Sequence, residues 1–86
     1  MDNSHRIERI NQLISDELHP SIMEVIDESH MHAGHAGAKE GKGHFRLRIS
    51  SSQFEGVRPI QCHRMIYAAL GDMMQTDIHA LSIEIL

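Results

Sequence analysis

Apolar side chains recur at steps of three and four residues between positions 4 and 18, which is the periodicity of a helix that buries one face. The stripe consists of Ile7, Ile10, Leu13, Ile14 and Leu18. Asn3 or Ser4 can accept hydrogen bonds from the free N–H groups at the start. His19-Pro20 ends the helix, because proline disfavours a helical conformation in the residue before it. The pattern predicts a helix over 4–18.

Alternation of apolar and polar positions marks three later segments as strands. Residues 21–28 contain β-branched side chains, although their alternation is imperfect. Residues 44–50 alternate cleanly. Their core face holds Phe45, Leu47 and Ile49, and their outer face holds His44, Arg46 and Arg48. Residues 78–85 alternate again, and this pattern predicts that His79 shares the core face with Leu81, Ile83 and Ile85.

Between the second and third strands, the pattern predicts a turn and a helix. Residues 51–57 form the turn region, with Phe54 as an anchor in the core, and Pro59 suits the first turn of a helix from about 59 to 75. The element order is then α-β-β-(short α)-α-β. The first two strands can pair antiparallel and the last two can pair parallel across the helix. We therefore expect one α+β domain over 1–86, a three-stranded mixed sheet with helices on one face.

The segment 29–43, SHMHAGHAGAKEGKG, interrupts these patterns. It holds four of the six glycines and no apolar periodicity, which predicts a long loop. Long loops in compact domains are usually functional or disordered. His30, His32 and His35 can converge on one metal ion, because imidazole binds zinc, iron, copper and nickel. A solvated loop without a ligand is the alternative.

Composition narrows the function classes. The net charge of −4 argues against a protein that coats nucleic acid by bulk charge. The single cysteine excludes an internal disulfide framework and a four-thiolate zinc site. No run of about 18 apolar residues and no secretory signal occur, so we expect a cytoplasmic protein without a membrane span. No nucleophile, base and orienting group stand together, so we expect no enzyme.

Three stretches carry a resemblance to a known family. They are DESHMHAGHAG at 27–37, HFRLRISSSQFEGVRPIQCHRMIYAAL at 44–70 and IHALSI at 78–83. The most specific part is the phrase F-x-G, H-R-M-I-Y, L and H-A-L at these spacings. On these residues the chain resembles the BolA family over about residues 6–86. The resemblance implies an α-β-β-α-α-β fold similar to the class II KH domain.

The resemblance also implies a function and a set of ligands. BolA-like proteins bind monothiol glutaredoxins, and the heterodimer can hold a bridging [2Fe–2S] cluster in iron–sulfur trafficking or in iron and redox regulation. The family uses the His of the HAL segment, here His79, and a His or Cys of the long loop. That loop ligand best matches His32, next to Glu28 and Ser29, with His35 as the second candidate. The isolated chain is expected to carry no cluster and to be a monomer or a weak homodimer.

Bacterial members of the family are also described as stress-induced morphogens and transcriptional regulators. The alternative function is therefore a DNA-binding regulator that uses the helix at 58–75. Arg46 and Arg48 on the outer face of a strand, and Arg58 and Arg64 at the start of the helix, are the candidate phosphate contacts. A solvated charged surface is the favoured interpretation of these four. A third hypothesis is a metal-ion binder that uses the loop histidines alone.

Two positions depart from the family pattern. Cys62 stands where the family usually has an arginine, and Arg58 stands where it often has a serine that caps the helix. A free cysteine is usually a small buried hydrophobe, and we expect this of Cys62. We expect the remaining histidines to be structural or at the surface: His5, His19, His44 and His63.

Overall fold

The computed structural model describes residues 3–29 and 42–86. Its elements in chain order are α1 (Ser4–Leu18), β1 (Ile22–Asp27), β2 (Gly43–Ser50), a 3₁₀ turn (Ser52–Phe54), α2 (Pro59–Leu70), α3 (Met73–Thr76) and β3 (Ile78–Ile85). The α+β class is confirmed. The bounds of α1 and β3 coincide with those that the apolar periodicity predicts.

The sheet has the order β1-β2-β3, so that β2 is the central strand. β1 pairs with β2 antiparallel, from Ile22 opposite Ser50 to Asp27 opposite Phe45. β2 pairs with β3 parallel, and α2 and α3 lie between these two strands in the chain. The predicted three-stranded mixed sheet is therefore confirmed.

The helices cover one face of this sheet and form the core with it. α1 contributes Ile10, Ile14 and Leu18, each at most 4% exposed. The other buried apolar residues are Phe45, Leu47, Ile49, Phe54, Cys62, Ile66, Leu70, Met73 and Ile78. The predicted core face of β2 and the predicted anchor Phe54 are both confirmed. Within the described residues, no helix is long and apolar enough to cross a bilayer.

The helix predicted over 59–75 is wrong at its C-terminal end. α2 ends at Leu70, and Gly71 adopts φ 56° and ψ −128° before α3 begins. A positive φ is readily accessible only to glycine, so the chain turns here. Met73, which follows the break, is also buried, at 4% exposure. The apolar spacing of α2 therefore continues into α3, and this made the predicted helix too long.

The ends of the helices differ in how they are capped. Asn3 occupies the N-cap position of α1, but its side chain does not cap the helix, so the capping role predicted for Asn3 is wrong. His19 ends α1 with φ 44° and ψ 56°, and Pro20 follows it as predicted. Arg58 precedes α2 without a side-chain cap, and Pro59 opens that helix.

The predicted long loop falls mainly outside the described residues. Of the segment 29–43, the structure describes only Ser29, Lys42 and Gly43. His30, His32 and His35 lie outside the described part of the chain.

Candidate functional site

His79 lies at an irregularity of β3. Between the pairs Gly43–Ile78 and His44–Ala80, β3 has one residue more than β2, and that residue is His79. Such a β-bulge interrupts the alternation of faces. Ile78 is therefore in the core at 1% exposure, whereas His79 is exposed. The prediction that His79 shares the core face of β3 is wrong, and its imidazole is accessible.

The ring of His79 lies against the ring of His44 on the neighbouring strand. The ring centroids are 5.0 Å apart and the planes are tilted by 57°, within the usual range for paired aromatic rings. His44 belongs to the outer face of β2, yet it is only 3% exposed. His44 was predicted to be structural, and no contact with His79 was predicted. The sequence does show that His44 lies at the start of β2 on its outward face. It contains no signal for the bulge that brings the two rings together.

Polar contacts around Ser29 fix the end of β1 beside this pair. The Ser29 hydroxyl oxygen accepts hydrogen bonds from Asn3 Nδ2 at 3.1 Å and from the His44 N–H at 3.0 Å. The Ser29 N–H donates to Asp27 Oδ1 at 2.9 Å. Asn3 Nδ2 also donates to Asp27 Oδ2 at 3.1 Å. The end of β1 is thus tied, through Ser29, to the backbone of His44.

The same network continues to the residues before His79. Arg6 donates to Asn3 Oδ1 at 2.9 Å and to Asp77 Oδ2 at 3.1 Å. The Asp77 carbonyl accepts from the Gly43 N–H at 2.9 Å, and its carboxylate accepts from the Thr76 hydroxyl at 2.6 Å. These bonds from Thr76 and then Arg6 lower the pKa of Asp77. The starts of β2 and β3 and the end of β1 are therefore joined through the first turn of α1.

Two of the predicted phosphate contacts are engaged with carboxylates on the outer face of the sheet. Arg46 pairs with Glu28 at 3.1 Å. Arg48 lies between Glu24 on β1, at 3.1 Å, and Glu84 on β3, at 3.4 Å. The hydrogen bond that Arg48 donates to Glu24, and then the charge of Glu84, raise the pKa of Arg48. The charges of Arg46 and Arg48 are therefore balanced by carboxylates, and these two residues do not make the outer face positively charged.

The other two predicted phosphate contacts belong to the helical layer. Arg58 and Arg64 are exposed at the start and on the surface of α2. Arg64 donates to the side chain of Gln61 at 3.0 Å. Because α2 packs on the inner face of the sheet, the structure does not bring the four arginines onto one surface.

Cys62 is buried, as predicted. It is 2% exposed within α2, and its Sγ lies 3.8 Å from the Val57 carbonyl oxygen. It is the only cysteine of the chain, so the chain presents no exposed thiol. Within residues 3–29 and 42–86, no three histidine, cysteine or carboxylate side chains are arranged to hold a metal ion.

Comparison with known proteins places this arrangement in a family. The family model described as BolA-like protein matches residues 5–86. The chain belongs to the BolA family. The BolA domain of SufE1 from Arabidopsis thaliana is similar in structure, with a TM-score of 0.81 at 41% identity, over 93% of this chain and 88% of that chain.

Curated BolA relatives carry different names. SufE-like protein 1 of Arabidopsis thaliana is 42% identical over an alignment of 80 residues that covers 87% of this chain and 22% of that protein. The DNA-binding transcriptional regulator BolA of Vibrio cholerae is 38% identical over 74 residues, 86% of this chain and 67% of that protein. The chain spans about half of the Arabidopsis protein BOLA1 and of bovine BolA-like protein 1.

Proposed function

We propose that this BolA-like protein is a non-enzymatic adaptor that pairs with a monothiol glutaredoxin and shares a [2Fe–2S] cluster as cargo. Its role would lie in iron–sulfur trafficking or in iron and redox regulation in the cytoplasm. His79 is the proposed ligand on β3. His32, three residues after Ser29 in the sequence, is the proposed second ligand, with His35 as the reserve.

The exposed imidazole of His79 is the observation that carries this proposal. The β-bulge removes this ring from the core face and leaves it at the end of the sheet. Imidazole is a known ligand of [2Fe–2S] clusters, where it replaces thiolate on one iron and raises the reduction potential. Its nitrogen can also be protonated, which favours release of the metal at lower pH.

The burial of Cys62 explains why a partner is part of the proposal. Iron–sulfur clusters are held mainly by cysteine thiolates, and the only thiol of this chain is inside the core. A cluster bound at His79 therefore needs thiolates from a second protein. A monothiol glutaredoxin with its cluster is a partner of this chemistry, and the family resemblance is the reason for choosing it.

The proposal is tested by adding the protein to cluster-loaded glutaredoxin and recording visible absorption and circular dichroism. We expect new bands that saturate at one protein per cluster. His79→Ala should abolish the change, because it removes the exposed ligand and leaves the core intact. His5→Ala is the matched control, since it removes another exposed imidazole, on α1, and should leave the titration unchanged.

Two results would refute the adaptor function. One is a spectrum of the loaded glutaredoxin that the wild-type protein does not change. The other is an identical change with the wild-type protein and with His79→Ala.

DNA binding is the second candidate, and the name of the Vibrio cholerae relative is the observation that favours it. Of the four candidate arginines, Arg58 and Arg64 are best suited to phosphate contacts, because Arg46 and Arg48 are paired with carboxylates. Binding through them would weaken steeply as salt is raised.

Duplex binding followed by fluorescence anisotropy at increasing salt tests this candidate. Arg64→Ala should weaken binding and lower the salt dependence, whereas Arg48→Ala should have little effect because its charge is already compensated. Absence of binding at low salt, or equal effects of the two substitutions, argues against a regulator that uses α2.

A further inference from the structure

We propose that His44 is a positioning residue that holds the imidazole of His79 in one orientation. The basis is the contact between the two rings, with centroids 5.0 Å apart and planes tilted by 57°. The inference deepens the proposed function, and its consequence for cluster binding rests on that function.

His44 has the rigidity that such a role requires. The residue is 3% exposed. Its N–H donates to the Ser29 hydroxyl oxygen at 3.0 Å, and its carbonyl accepts from the Glu28 N–H at 2.8 Å. Ser29 is in turn bonded to Asn3 and Asp27. The backbone of His44 is thus fixed by the two residues after β1 and, through Ser29, by Asn3 before α1. Its buried ring offers a constant surface to its neighbour.

His79 has the opposite character and needs such a surface. It is exposed, and it is the unmatched residue of a bulge, so no partner residue in β2 lies directly across from it. An exposed side chain distributes over several staggered rotamers, and fixing it on binding lowers affinity. Contact with the His44 ring selects one of these orientations before any partner arrives.

Three forms of the protein separate the role of the ring from that of the fold. His44→Phe keeps an aromatic ring at the position, and His44→Leu keeps apolar volume without a ring. In the isolated wild-type protein, labelled with ¹³C and ¹⁵N, we expect a nuclear Overhauser contact between the two rings and one dominant χ1 rotamer of His79. His44→Phe should retain the single rotamer, and His44→Leu should show averaged couplings.

The same forms are then titrated with cluster-loaded glutaredoxin at one fixed pH. A ring pair of ordinary strength predicts that His44→Leu binds about two- to tenfold more weakly than wild type. His44→Phe should bind like wild type. Because both variants lack the His44 imidazole, a loss of overall stability caused by that change would not explain a difference between them. Amide spectra of core residues in β2 establish that each variant is folded.

Each outcome decides the inference. Absence of the ring contact in the wild-type protein, or the same His79 rotamer populations in His44→Leu and wild type, overturns it; the wild-type measurement stands even if His44→Leu does not fold. Equal titration midpoints for the folded His44→Leu and wild type also overturn it. If the rotamer results hold but the wild-type protein leaves the glutaredoxin spectrum unchanged, the positioning role stands and the adaptor function fails.

Discussion

At the scale of single residues, Ser51 links the helical layer to the end of the central strand. Its hydroxyl donates to the Leu18 carbonyl oxygen at 2.7 Å and accepts from the Gln53 N–H at 3.2 Å. The side chain is 6% exposed. One buried hydroxyl therefore supplies a hydrogen bond to the carbonyl oxygen of the last residue of α1 and also caps the 3₁₀ turn. A buried carbonyl oxygen that loses its hydrogen-bond donor stays out of water without a compensating bond, and this lowers the stability of the fold.

Ser51→Ala should lower the free energy of unfolding by about 1–3 kcal/mol, because the Leu18 carbonyl and the Gln53 N–H both lose a partner. Urea denaturation measures this. Ser52→Ala is the matched control, since the neighbouring serine is exposed, and it should change stability by less than about 0.5 kcal/mol. Equal effects of the two substitutions would contradict the role of Ser51.

The residue scale also shows where sequence analysis of the site failed. Alternation along β3 predicts that His79 faces the core, because the pattern assumes a regular ladder. The bulge arises where β2 pairs with β3, between the pairs Gly43–Ile78 and His44–Ala80. The pairing of two strands is a tertiary contact, and the period of one strand does not contain it.

At the scale of elements, local periodicity was sufficient for most of the fold. α1 and β3 have the predicted bounds, since both carry long regular patterns. The helix over 59–75 was predicted too long, because apolar spacing continues from Leu70 to Met73 although Gly71 turns the chain. The contact of His44 with His79 was not predicted, because alternation placed His44 on the outer face of β2 and His79 on the core face of β3, and the bulge changes this placement.

One ion pair connects the first element with the last. Arg6 on α1 bonds to Asp77 just before β3, and the Thr76 hydroxyl donates to the same carboxylate. These contacts lower the pKa of Asp77 in the folded chain. A carboxyl group whose folded pKa is depressed stabilises the fold above its unfolded pKa. This stabilisation is lost as the pH falls through the folded pKa.

Asp77→Asn should therefore be less stable than wild type at neutral pH, and the difference should shrink as the pH falls below about 4. Thermal or urea unfolding over a pH series measures this. Asp72→Asn removes the same charge on the neighbouring turn without removing the bond between Arg6 and Asp77. The stability difference between Asp72→Asn and wild type should therefore vary less with pH. A difference for Asp77→Asn that is constant across the series would contradict the contribution of the ion pair.

At the scale of the whole molecule, three regions have different chemical characters. The outer face of the sheet carries compensated pairs such as Arg48 with Glu24 and Glu84. The surface of α2 carries Arg58 and Arg64. The end of the sheet carries the exposed ring of His79 against the buried ring of His44. In the third region an imidazole is accessible, and the backbone of its neighbour His44 is fixed by hydrogen bonds.

The proposed adaptor function requires that this chain supply an imidazole ligand to a cluster whose thiolates come from a partner. Its most direct test is pulsed electron paramagnetic resonance on the reduced complex, with ¹⁵N-histidine in this chain and unlabelled glutaredoxin. We predict a ¹⁵N hyperfine coupling to the cluster in the wild-type complex and loss of the His79 coupling in His79→Ala. A wild-type complex without ¹⁵N coupling, or an unchanged coupling in His79→Ala, would contradict the account.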